Sequence, residues 1–310
     1  MRAFAHDIYE YPLPRGHRFP LEKYRLLRAQ VEGNERIVVS DARAATWDEL
    51  ALAHARMYIR HVERGELTRR EELALGLPWS PQLVERSRRS VGATISAASA
   101  ALAEGVAANL GGGTHHAYPD SGRGFCVFND VAVAARLLHE GGRVSRILII
   151  DLDVHQGDGT HFVFRDDCRV FTFSINGFGN YPFQRVPGDL ELDLRDGTGD
   201  DEYLARLRAL LPEAIRRSRA EVCFYLAGAD PYIGDQLGRL ALTWQGLACR
   251  DELVRDALAT ANIPAVVTLA GGYADPIEDT VAINATTLEV FAGNESHRHI
   301  DALGAASSPS

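Results

Sequence analysis

The sequence predicts a single α/β domain with a mainly parallel sheet between two layers of helices. Apolar segments of strand length alternate with amphipathic segments of helix length throughout the 310 residues, an order typical of parallel sheets. No repeat, low-complexity block or linker divides the chain. We expect one domain over residues 1–296, followed by a frayed polar tail over residues 297–310.

The segment 147–159 supports this fold most directly. It begins with an unbroken apolar run from Ile147 to Ile150, which is typical of a strand buried on both faces of a parallel sheet. It ends in acidic residues, a histidine and glycines, among which Asp153 and His155 lean to the same side of an extended backbone. Alone, this ending also fits turn residues that leave a strand, with His155 on the surface.

In the first half of the chain, strands are predicted at 4–9, 37–39 and 106–110. Helices are predicted at 21–31, 46–63, 80–104 and 128–139. Thr46 is a typical N-cap, and Ser80 before Pro81 combines a cap with a proline in the first turn. The small residues from Gly92 to Ala103 indicate a helix that packs closely against its neighbours.

In the second half, strands after the run from Ile147 are predicted at 169–175, 222–227 and 265–269, and helices at 200–219, 243–261 and 277–291. The stretch 176–194 is rich in glycine, proline and aromatic residues, and it is predicted to be a long functional loop. Strand and helix therefore alternate to the end of the domain, as helical crossovers between parallel strands require.

Polar side chains follow five of the predicted strands at their carboxyl ends. They are His115 and His116 after the third strand, Asp153 and His155 after the fourth, Ser174 at the end of the fifth, Asp230 after the sixth and Tyr273 after the seventh. Because the carboxyl ends of parallel strands meet at one edge of the sheet, where ligands bind, we expect these side chains to lie together. The sequence thus predicts an active site at the C-terminal ends of the strands.

Asp153, His155 and Asp230 are the candidate metal ligands. Two carboxylates and one imidazole leave the fourth position of a tetrahedral ion open, as a catalytic zinc site requires. Such an ion lowers the pKa of its water and polarises a carbonyl group. Ligands of this kind also suit ferrous iron, so both metals remain candidates.

The other strand-end residues suit acid–base chemistry beside such an ion. His115 or His116 could act as a general base, and Asp151 and Asp158 are available to orient the two imidazoles. Tyr273 follows two glycines and could donate a hydrogen bond to a developing oxyanion. Together these residues predict metal-assisted hydrolysis of an amide or a similar carbonyl compound.

Composition restricts the partners of the protein. The 42 acidic residues outnumber the 33 basic ones, of which all but Lys23 are arginine, and the net charge of −9 argues against nucleic acid as a partner. No apolar run approaches a membrane span, and the first residues do not resemble a signal peptide. We therefore expect a cytoplasmic protein without a membrane partner, whose four scattered cysteines are reduced.

Five longer motifs contain the strand-end residues. They are Gly112–Ala117, Gly124–Asp130, Asp151–Gly159, Gly228–Asp230 followed by Asp235, Gly238, Leu242 and Thr243, and Leu269–Tyr273. Weaker motifs are His17–Pro20 with Lys23 and Tyr24, and Leu50 with His54 and Tyr58. Together they resemble the histone deacetylase superfamily over nearly the whole chain, and the resemblance implies the arginase–deacetylase fold. The His155-Gln156 pair and the short length look most like the class IV branch and its bacterial relatives.

The resemblance implies a zinc-dependent amidohydrolase that removes an acetyl or longer acyl group from an acyl-lysine side chain or a similar acylated amine. In such an enzyme Asp153, His155 and Asp230 would bind zinc, and a metal-activated water would attack the substrate. The resemblance implies that His116 would be the general base and His115 its electrostatic partner. Asp151 would pair with His115, and Asp158 would pair with His116. Tyr273 would polarise the acyl carbonyl.

Substrate and ion sites follow from the same resemblance. Phe125 would line one side of an acyl-lysine tunnel, and the Gly124 carbonyl would accept a hydrogen bond from the substrate's amide. A structural potassium ion would lie near Asp151, Asp153, His155, Ser174 and Ile175, partly on backbone carbonyls. The second wall of the tunnel stays open among Phe178, Tyr181 and Phe183.

The chain departs from the family pattern at two places. Gln156 stands where many members have a second histidine, and the loop 77–79 has no acidic residue to hold a peptide backbone. Three alternatives share the fold or the site: acetylpolyamine hydrolysis, arginase-like dimetal hydrolysis and a non-enzymatic metal- or ligand-binding pocket. A single aspartate in the segment 228–232 argues against the arginase-like alternative, and the complete catalytic set argues against the non-enzymatic one. The residues leave the acyl group and the oligomeric state open.

Overall fold

A single eight-stranded sheet forms the centre of the computed structural model, which describes residues 1–6 and 11–293. Its strands, in chain order, are β1 (Arg2–Ala5), β2 (Val38–Asp41), β3 (Val106–Asn109), β4 (Ile147–Asp151), β5 (Val170–Gly177), β6 (Leu190–Leu194), β7 (Val222–Leu226) and β8 (Ala265–Thr268). They lie in the order β2-β1-β3-β8-β7-β4-β5-β6, and every neighbouring pair is parallel. The predicted parallel sheet is confirmed.

Helices cover both faces of this sheet. Those in the described residues are α1 (Glu22–Val31), α2 (Trp47–Leu50), α3 (Arg56–Arg64), α4 (Arg69–Leu75), α5 (Pro81–Glu104), α6 (Asp130–Glu140), α7 (Asp158–Phe164), α8 (Asp200–Ser218), α9 (Trp244–Thr260) and α10 (Ile277–Phe291). One apolar core joins the sheet to α2, α3, α5 and α6, and a second joins it to α1, α8, α9 and α10. The predicted three-layer arrangement is therefore confirmed. None of the described helices combines the length and apolar character needed to cross a membrane.

Strand β4 shows why the sheet is buried on both sides. Ile147 and Ile149 face one core, and Leu148 and Ile150 face the other, because successive side chains of a strand point to opposite faces. All five residues of β4 are buried. An apolar run without polar interruption is what this position requires.

Helix α5 begins where its sequence signals place it. The Ser80 side chain accepts a hydrogen bond from the backbone N–H of Leu83, and Pro81 occupies the first turn. A Cβ atom at Gly92 would overlap the backbone carbonyl of Arg43, so only glycine permits the close approach of the chain at this point. The predicted close packing of this helix is confirmed.

The predicted helix over residues 46–63 is wrong, because two helices occupy that region. A capping box between Thr46 and Glu49 starts α2, but the chain leaves the helix after Leu50 and α3 begins at Arg56. The break turns His54 into the core, where Nδ1 lies 3.0 Å from the Tyr118 carbonyl and Nε2 accepts a hydrogen bond from a backbone N–H. These tertiary contacts override the helical spacing of the apolar residues.

Three short elements were not predicted. Strand β6 lies at the end of the predicted loop 176–194. It is an edge strand of the sheet and less buried than the central strands, so its sequence mixes polar and apolar residues. Helices α4 and α7 have seven residues each, too few to show a clear periodicity. The described part of the first strand is Arg2–Ala5, while residues 7–10, the predicted domain boundary at 296 and the predicted tail lie outside the described residues.

Candidate active site

The candidate site lies at the carboxyl ends of neighbouring strands. Asp151, the last residue of β4, lies beside Ser174 of β5 and Leu226 of β7, so the chain segments that follow these strands start side by side. Strands β3 and β8 are also neighbours, which brings their ends to the same edge of the sheet. The residues that consequently line one cavity include His115, His116, Asp153, His155 and Tyr273.

Asp153, His155 and Asp230 form a compact group of metal-ligating side chains. One ligand atom from each lies within 4.8 Å of the other two. The Nδ1 atom of His155 is 3.0 Å from a carboxylate oxygen of Asp153 and 3.0 Å from one of Asp230. Both aspartates are buried, so these three side chains converge in a space with little access for water.

Backbone donors hold the two carboxylates in place. The N–H of Gly271 donates to Asp153 over 2.7 Å, and the N–H of Val154 donates to Asp230 over 2.9 Å. A Cβ atom at position 271 would overlap the Asp230 carboxylate, so the residue must be glycine for the carboxylates to lie this close to the backbone. The geometry is therefore fixed before any ligand binds.

The three groups strongly perturb one another. Burial raises the pKa of Asp230 to about 7, and the charge of Asp153 adds to the rise. Burial acts in the same direction on Asp153, but His115 and His155 outweigh it and hold the pKa of that carboxyl well below its usual range. Burial disfavours protonated His155, but the two carboxylates outweigh it and raise the pKa to about 10. A buried pair of carboxylates of this kind would be neutralised by a divalent cation, so the donor set fits a metal.

Two histidine–aspartate pairs lie next to the metal-ligating group. Nδ1 of His115 is 2.7 Å from Asp151, and Nδ1 of His116 is 2.6 Å from Asp158. The two imidazole rings are adjacent, with centroids 4.2 Å apart. Because each carboxylate engages Nδ1, Nε2 is the nitrogen that remains for other chemistry in both rings.

The two histidines have opposite pKa shifts although both are buried. For His115, burial lowers the pKa, but the charges of Asp151 and Asp153 outweigh it and raise the value to about 9. For His116, burial and the charge of His115 lower the pKa to about 4, although Asp158 acts in the other direction. His116 is consequently neutral at pH 7 and able to accept a proton.

The Asp235 carboxylate holds the backbone at Tyr273. The backbone N–H of Tyr273 donates to Asp235 over 2.6 Å, and the other oxygen of Asp235 accepts from the N–H groups of Leu237 and Gly238. Burial raises the pKa of the Tyr273 phenol well above its ordinary value, so the hydroxyl keeps its proton and can donate it in a hydrogen bond.

A larger cavity of about 410 Å³ connects the site with solvent. Its lining includes His116, Gly124, Phe125, His155, Tyr181, Phe183, Tyr273, Arg18 and Arg239. The Tyr181 ring lies 4.9 Å from the His116 ring, and Phe125 lies 6.1 Å from Tyr273 on the other side. Of the three aromatic residues left open by the sequence, Tyr181 is the one in contact with His116, whereas Phe178 and Phe183 are exposed.

The turn at Gly124 and Phe125 has an unusual backbone. Both residues have positive φ angles, 52° and 67°, and this conformation is strained for a residue as large as phenylalanine. The carbonyls of Ala74 and Leu75, at the end of α4, accept hydrogen bonds from the two N–H groups. Helix α4 thus holds the Phe125 ring at the wall of the larger cavity.

The residues predicted for a potassium ion also lie together in part. Asp151 and Ser174 are register partners, and Ser174 and Ile175 are fully buried on β5. The Ser174 hydroxyl has no hydrogen-bond partner among the described residues. An unpaired buried hydroxyl next to a buried carboxylate is a site where a monovalent cation would find ligands.

Sequence reasoning missed a buried pair beneath the metal-ligating group. The guanidinium of Arg250, on α9, donates to the carbonyls of Gly228 and Leu152 over 2.6 and 3.4 Å, and it pairs with Asp251. These carbonyls belong to the segments that lead into Asp230 and Asp153. An adjacent Arg-Asp pair within an otherwise mostly apolar helix face is the signal that could have revealed it.

Two further contacts were also missed. The Tyr118 hydroxyl donates to Asp158 over 3.1 Å, so the carboxylate that engages His116 is held from both sides. Gln156 donates to Glu191 and to the Val186 carbonyl, and accepts from the N–H of Val186. In place of a second histidine, Gln156 therefore anchors the segment that follows Tyr181.

Most of the chain matches the model of one known protein family. Residues 17–288 match the histone deacetylase domain. The chain is 42% identical over 281 residues to an uncharacterized protein of Picosynechococcus sp., which covers 89% of this chain and 93% of that protein. It is 35% identical over 248 residues to histone deacetylase 2 of Arabidopsis thaliana, covering 77% of this chain and 64% of the Arabidopsis protein.

Two other comparisons agree. The chain is 32% identical over 257 residues to the acetoin utilization protein AcuC of Staphylococcus aureus, covering 74% of this chain and 64% of AcuC. The crystal structure of the HD domain of HDA15 superposes with a TM-score of 0.78 over 94% of this chain and 91% of that one, at 22% identity. At that identity the superposition establishes the fold.

Proposed function

The chain belongs to the histone deacetylase family of amide hydrolases, and on this premise we propose that it is a zinc-dependent deacylase. Its substrate would be an acylated lysine side chain or a similar acylated amine. The observation that carries the proposal is the placement of Asp153, His155 and Asp230 within 4.8 Å of one another, directly beside two histidine–aspartate pairs. These are the parts that metal-assisted amide hydrolysis requires.

Asp153, His155 and Asp230 would hold the metal. Two buried carboxylates that share one imidazole favour a divalent cation, and ferrous iron fits the same ligands as zinc. When bound, the metal would supply a Lewis acid that polarises a carbonyl group and lowers the pKa of water. The backbone donors at Gly271 and Val154 keep both carboxylates aimed at the same point.

His116 would take the proton from the attacking water at Nε2 and later give it to the leaving amine. Its Nδ1 is engaged by Asp158, and its lowered pKa leaves the ring neutral and ready to accept a proton. His115, paired with Asp151, has a raised pKa and would carry positive charge next to the developing negative charge. The two pairs therefore divide proton transfer from electrostatic stabilisation.

Tyr273 would donate its hydroxyl proton in a hydrogen bond to the acyl oxygen. Its raised pKa keeps the phenol protonated at neutral pH, and Asp235 positions its backbone. Phe125 and Tyr181 would enclose the alkyl chain of the acylated amine, and the Gly124 carbonyl would accept from its amide N–H.

A structural potassium ion is a further part of the proposal. Its ligands would come from Asp151, Asp153, His155, Ser174 and Ile175, partly through backbone carbonyls. The buried Ser174 hydroxyl without a hydrogen-bond partner in the described residues supports this site. A cation there would also stabilise the end of β4, which leads into Asp153 and His155.

The alternatives are weakened by specific residues. Arg18 and Arg239 line the larger cavity, and their positive charges would repel a cationic polyamine. A dimetal hydrolase needs more carboxylates, but the described residues contain one group of three metal-ligating side chains. A cytoplasmic location and the absence of a nucleic-acid partner remain predictions from composition.

A substrate panel tests the proposal. The zinc-loaded protein should release acetate from acetyl-lysine peptides and should act on acetylated polyamines more slowly, with both reactions abolished by a chelator and restored by zinc. Faster hydrolysis of acetylated polyamines would replace the lysine assignment. Failure to hydrolyse any acylated amine at full zinc occupancy would overturn the deacylase assignment itself.

A further inference from the structure

The larger cavity of about 410 Å³ carries charge of one sign where it opens to solvent. Besides His116 and His155 at its floor, the charged residues in its lining are Arg18 and Arg239, and among the described residues no Asp or Glu lines it. Both arginines are exposed, so they lie at its open end. Acidic residues outnumber basic ones by 42 to 33 in the whole chain, so this positive entrance runs against the overall charge of −9.

The backbone on both sides of Arg18 is anchored to the wall of the cavity. Nε2 of His17 lies 2.9 Å from the Gly76 carbonyl, and the Phe19 ring packs against the Phe125 ring with centroids 5.4 Å apart. Within the described residues, the Arg18 side chain forms no hydrogen bond or ion pair. Its guanidinium is therefore held at the entrance with its N–H donors available to a ligand.

Arg239 is anchored in the same way from another segment of the chain. Its backbone N–H donates to the Asn180 side chain over 3.2 Å, and its carbonyl accepts from the N–H of Gly197 over 2.7 Å. Its guanidinium contacts Asp196 over 3.3 Å, in a pair whose side chains are 58% and 50% exposed. A guanidinium has five N–H donors, so this contact leaves others for a ligand, although Asp196 offsets part of the charge.

The two arginines face the part of a substrate that lies outside the tunnel. Phe125 and Tyr181 would enclose the alkyl chain of an acylated lysine, so its α carbon and the neighbouring residues would lie at the entrance. The loop 77–79 has no acidic side chain to accept from the N–H groups of a peptide there. Guanidinium groups bind carboxylates with two parallel hydrogen bonds, so an acidic side chain beside the acylated lysine fits this entrance.

We propose that the substrate is a polypeptide with acidic side chains next to the acylated lysine, and that Arg18 and Arg239 bind their carboxylates. This inference deepens the proposed function and rests on it, because the amide is cut by the same site. The two arginines would determine specificity without contact to the reacting atoms. Basic flanking residues would be disfavoured by the same charges.

The expected preference is moderate because both arginines are exposed. An exposed ion pair changes binding by roughly two- to fivefold, so two such pairs multiply to a measurable selection. Arg18 should contribute more than Arg239, whose charge Asp196 partly offsets. Salt screens exposed charges, so the preference should decrease as ionic strength rises.

A carboxylate could also come from free acyl-lysine, whose own α-carboxylate would lie at the entrance. Free acyl-lysine carries an α-ammonium on the same carbon, and the two arginines would repel that group. In a polypeptide both α groups are part of neutral amides, and acidic side chains on either side can reach arginines on separate segments. The polypeptide therefore fits the entrance better than the free amino acid.

The test uses three acetyl-lysine peptides that differ only in the flanking residues, which are Asp and Glu, the isosteric Asn and Gln, or Lys. With the zinc-loaded protein at low salt, we expect kcat/KM for the acidic peptide to exceed that for the amide peptide by at least about fivefold. The lysine-flanked peptide should be the poorest of the three. The difference should lie mainly in KM and should shrink at high salt.

Variants connect this preference to the two arginines. Arg18→Gln should reduce the ratio of the acidic to the amide peptide by at least about twofold, and the double variant with Arg239→Gln should bring it close to one. Arg18→Glu should favour the lysine-flanked peptide over the acidic one. Arg15→Gln removes the same charge from an exposed position of the same loop outside the cavity lining, and as the matched control it should preserve the ratio.

The outcomes separate this inference from the proposed function. Equal hydrolysis of the acidic and amide peptides by the unsubstituted protein would overturn the inference and leave the deacylase intact. An acidic preference that persists in the double variant of Arg18 and Arg239 would exclude these residues as its source. Faster hydrolysis of free acetyl-lysine than of any peptide would overturn the polypeptide assignment. No hydrolysis of any of these compounds would count against the proposed function itself.

Discussion

The floor and the rim of the candidate active-site cavity are built in different ways. The floor consists of His115, His116, Asp153, His155 and Asp230, which follow strands of the sheet. The rim consists of Phe125, Tyr181, Phe183, Arg18 and Arg239, which lie on loops and turns. Floor side chains are buried or nearly so, whereas Phe183 is 86% exposed. His155 is hydrogen-bonded to Asp153 and Asp230, and His115 and His116 are hydrogen-bonded to the buried aspartates 151 and 158.

This difference indicates that the floor determines the chemistry and the rim determines the preference for substrates. The floor is fixed by the sheet, because parallel neighbours bring the ends of β4 and β7 together whatever the loops do. The rim depends on loop conformations that are held by contacts between distant segments, such as those of Gln156 with Val186 and of Asn180 with Leu237. Changes to the floor should therefore affect metal binding and rate, and changes to the rim should affect substrate preference.

The largest effect is expected from Asp230→Ala in the floor. Removal of one carboxylate from a three-residue ligand set should abolish stable zinc binding and reduce kcat beyond the ~10⁴-fold upper range for loss of a general base. Metal analysis of the purified variant, with its thermal melt, checks the result. Full zinc occupancy in this variant would show that Asp230 is not a ligand.

His116→Ala should come next. Loss of the proton acceptor should lower kcat by ~10²–10⁴-fold while zinc remains bound, because the metal ligands are untouched. Steady-state kinetics and metal content are measured on the same sample. Unchanged acyl-lysine hydrolysis would exclude His116 as the general base.

Tyr273→Phe should have a smaller effect on the same reaction. Removal of one hydroxyl donor to the acyl oxygen should lower kcat by ~10²–10³-fold. The variant should retain zinc and its melting temperature, since Asp235 bonds the backbone of residue 273 and not its hydroxyl. A change confined to KM would assign Tyr273 to binding instead.

Arg250→Met tests how much the buried pair of Arg250 and Asp251 stabilises the fold. It removes the cation from a fully buried pair and frees the Leu152 and Gly228 carbonyls, so the free energy of unfolding should fall by about 3–5 kcal/mol. Arg255→Met is a matched control on the same helix, where the partner Asp256 is 66% exposed, and it should cost less than about 1 kcal/mol. Urea denaturation measures both. Equal effects would mean that burial of the first pair is unimportant.

Phe183→Ala in the rim should have the smallest effect. An exposed ring at the mouth of the cavity adds little binding energy, so KM should change less than about fivefold with kcat unaffected. Kinetics on two peptides that differ beside the acyl-lysine would measure this. A large loss of kcat would erase the distinction between floor and rim.

The same distinction explains what the sequence could predict. The parallel sheet and the convergence of Asp153, His155 and Asp230 could be predicted from apolar runs that end in polar residues. The carboxyl ends of parallel strands meet at one edge of the sheet, so the polar residues that follow them lie together. The pairing of His115 with Asp151 and of His116 with Asp158, implied by family resemblance, is what the structure contains.

What the sequence did not predict depends on contacts between distant segments. The break before α3 arises because His54 bonds the Tyr118 carbonyl, 64 residues away. Tyr181 could not be separated from Phe178 and Phe183, because all three lie in one loop whose path no periodicity describes. The role of Arg250 depends on a tertiary contact with strand ends, which an ordinary helical pattern conceals.

Titration of the metal-free protein with zinc tests the central claim most directly. Bound zinc and the rate of acetyl-lysine hydrolysis are measured in the same samples. We expect the rate to rise in proportion to bound zinc and to reach its maximum at one equivalent per chain. A maximum only at two equivalents, or a fully loaded protein without hydrolysis, would contradict a mononuclear deacylase site formed by Asp153, His155 and Asp230.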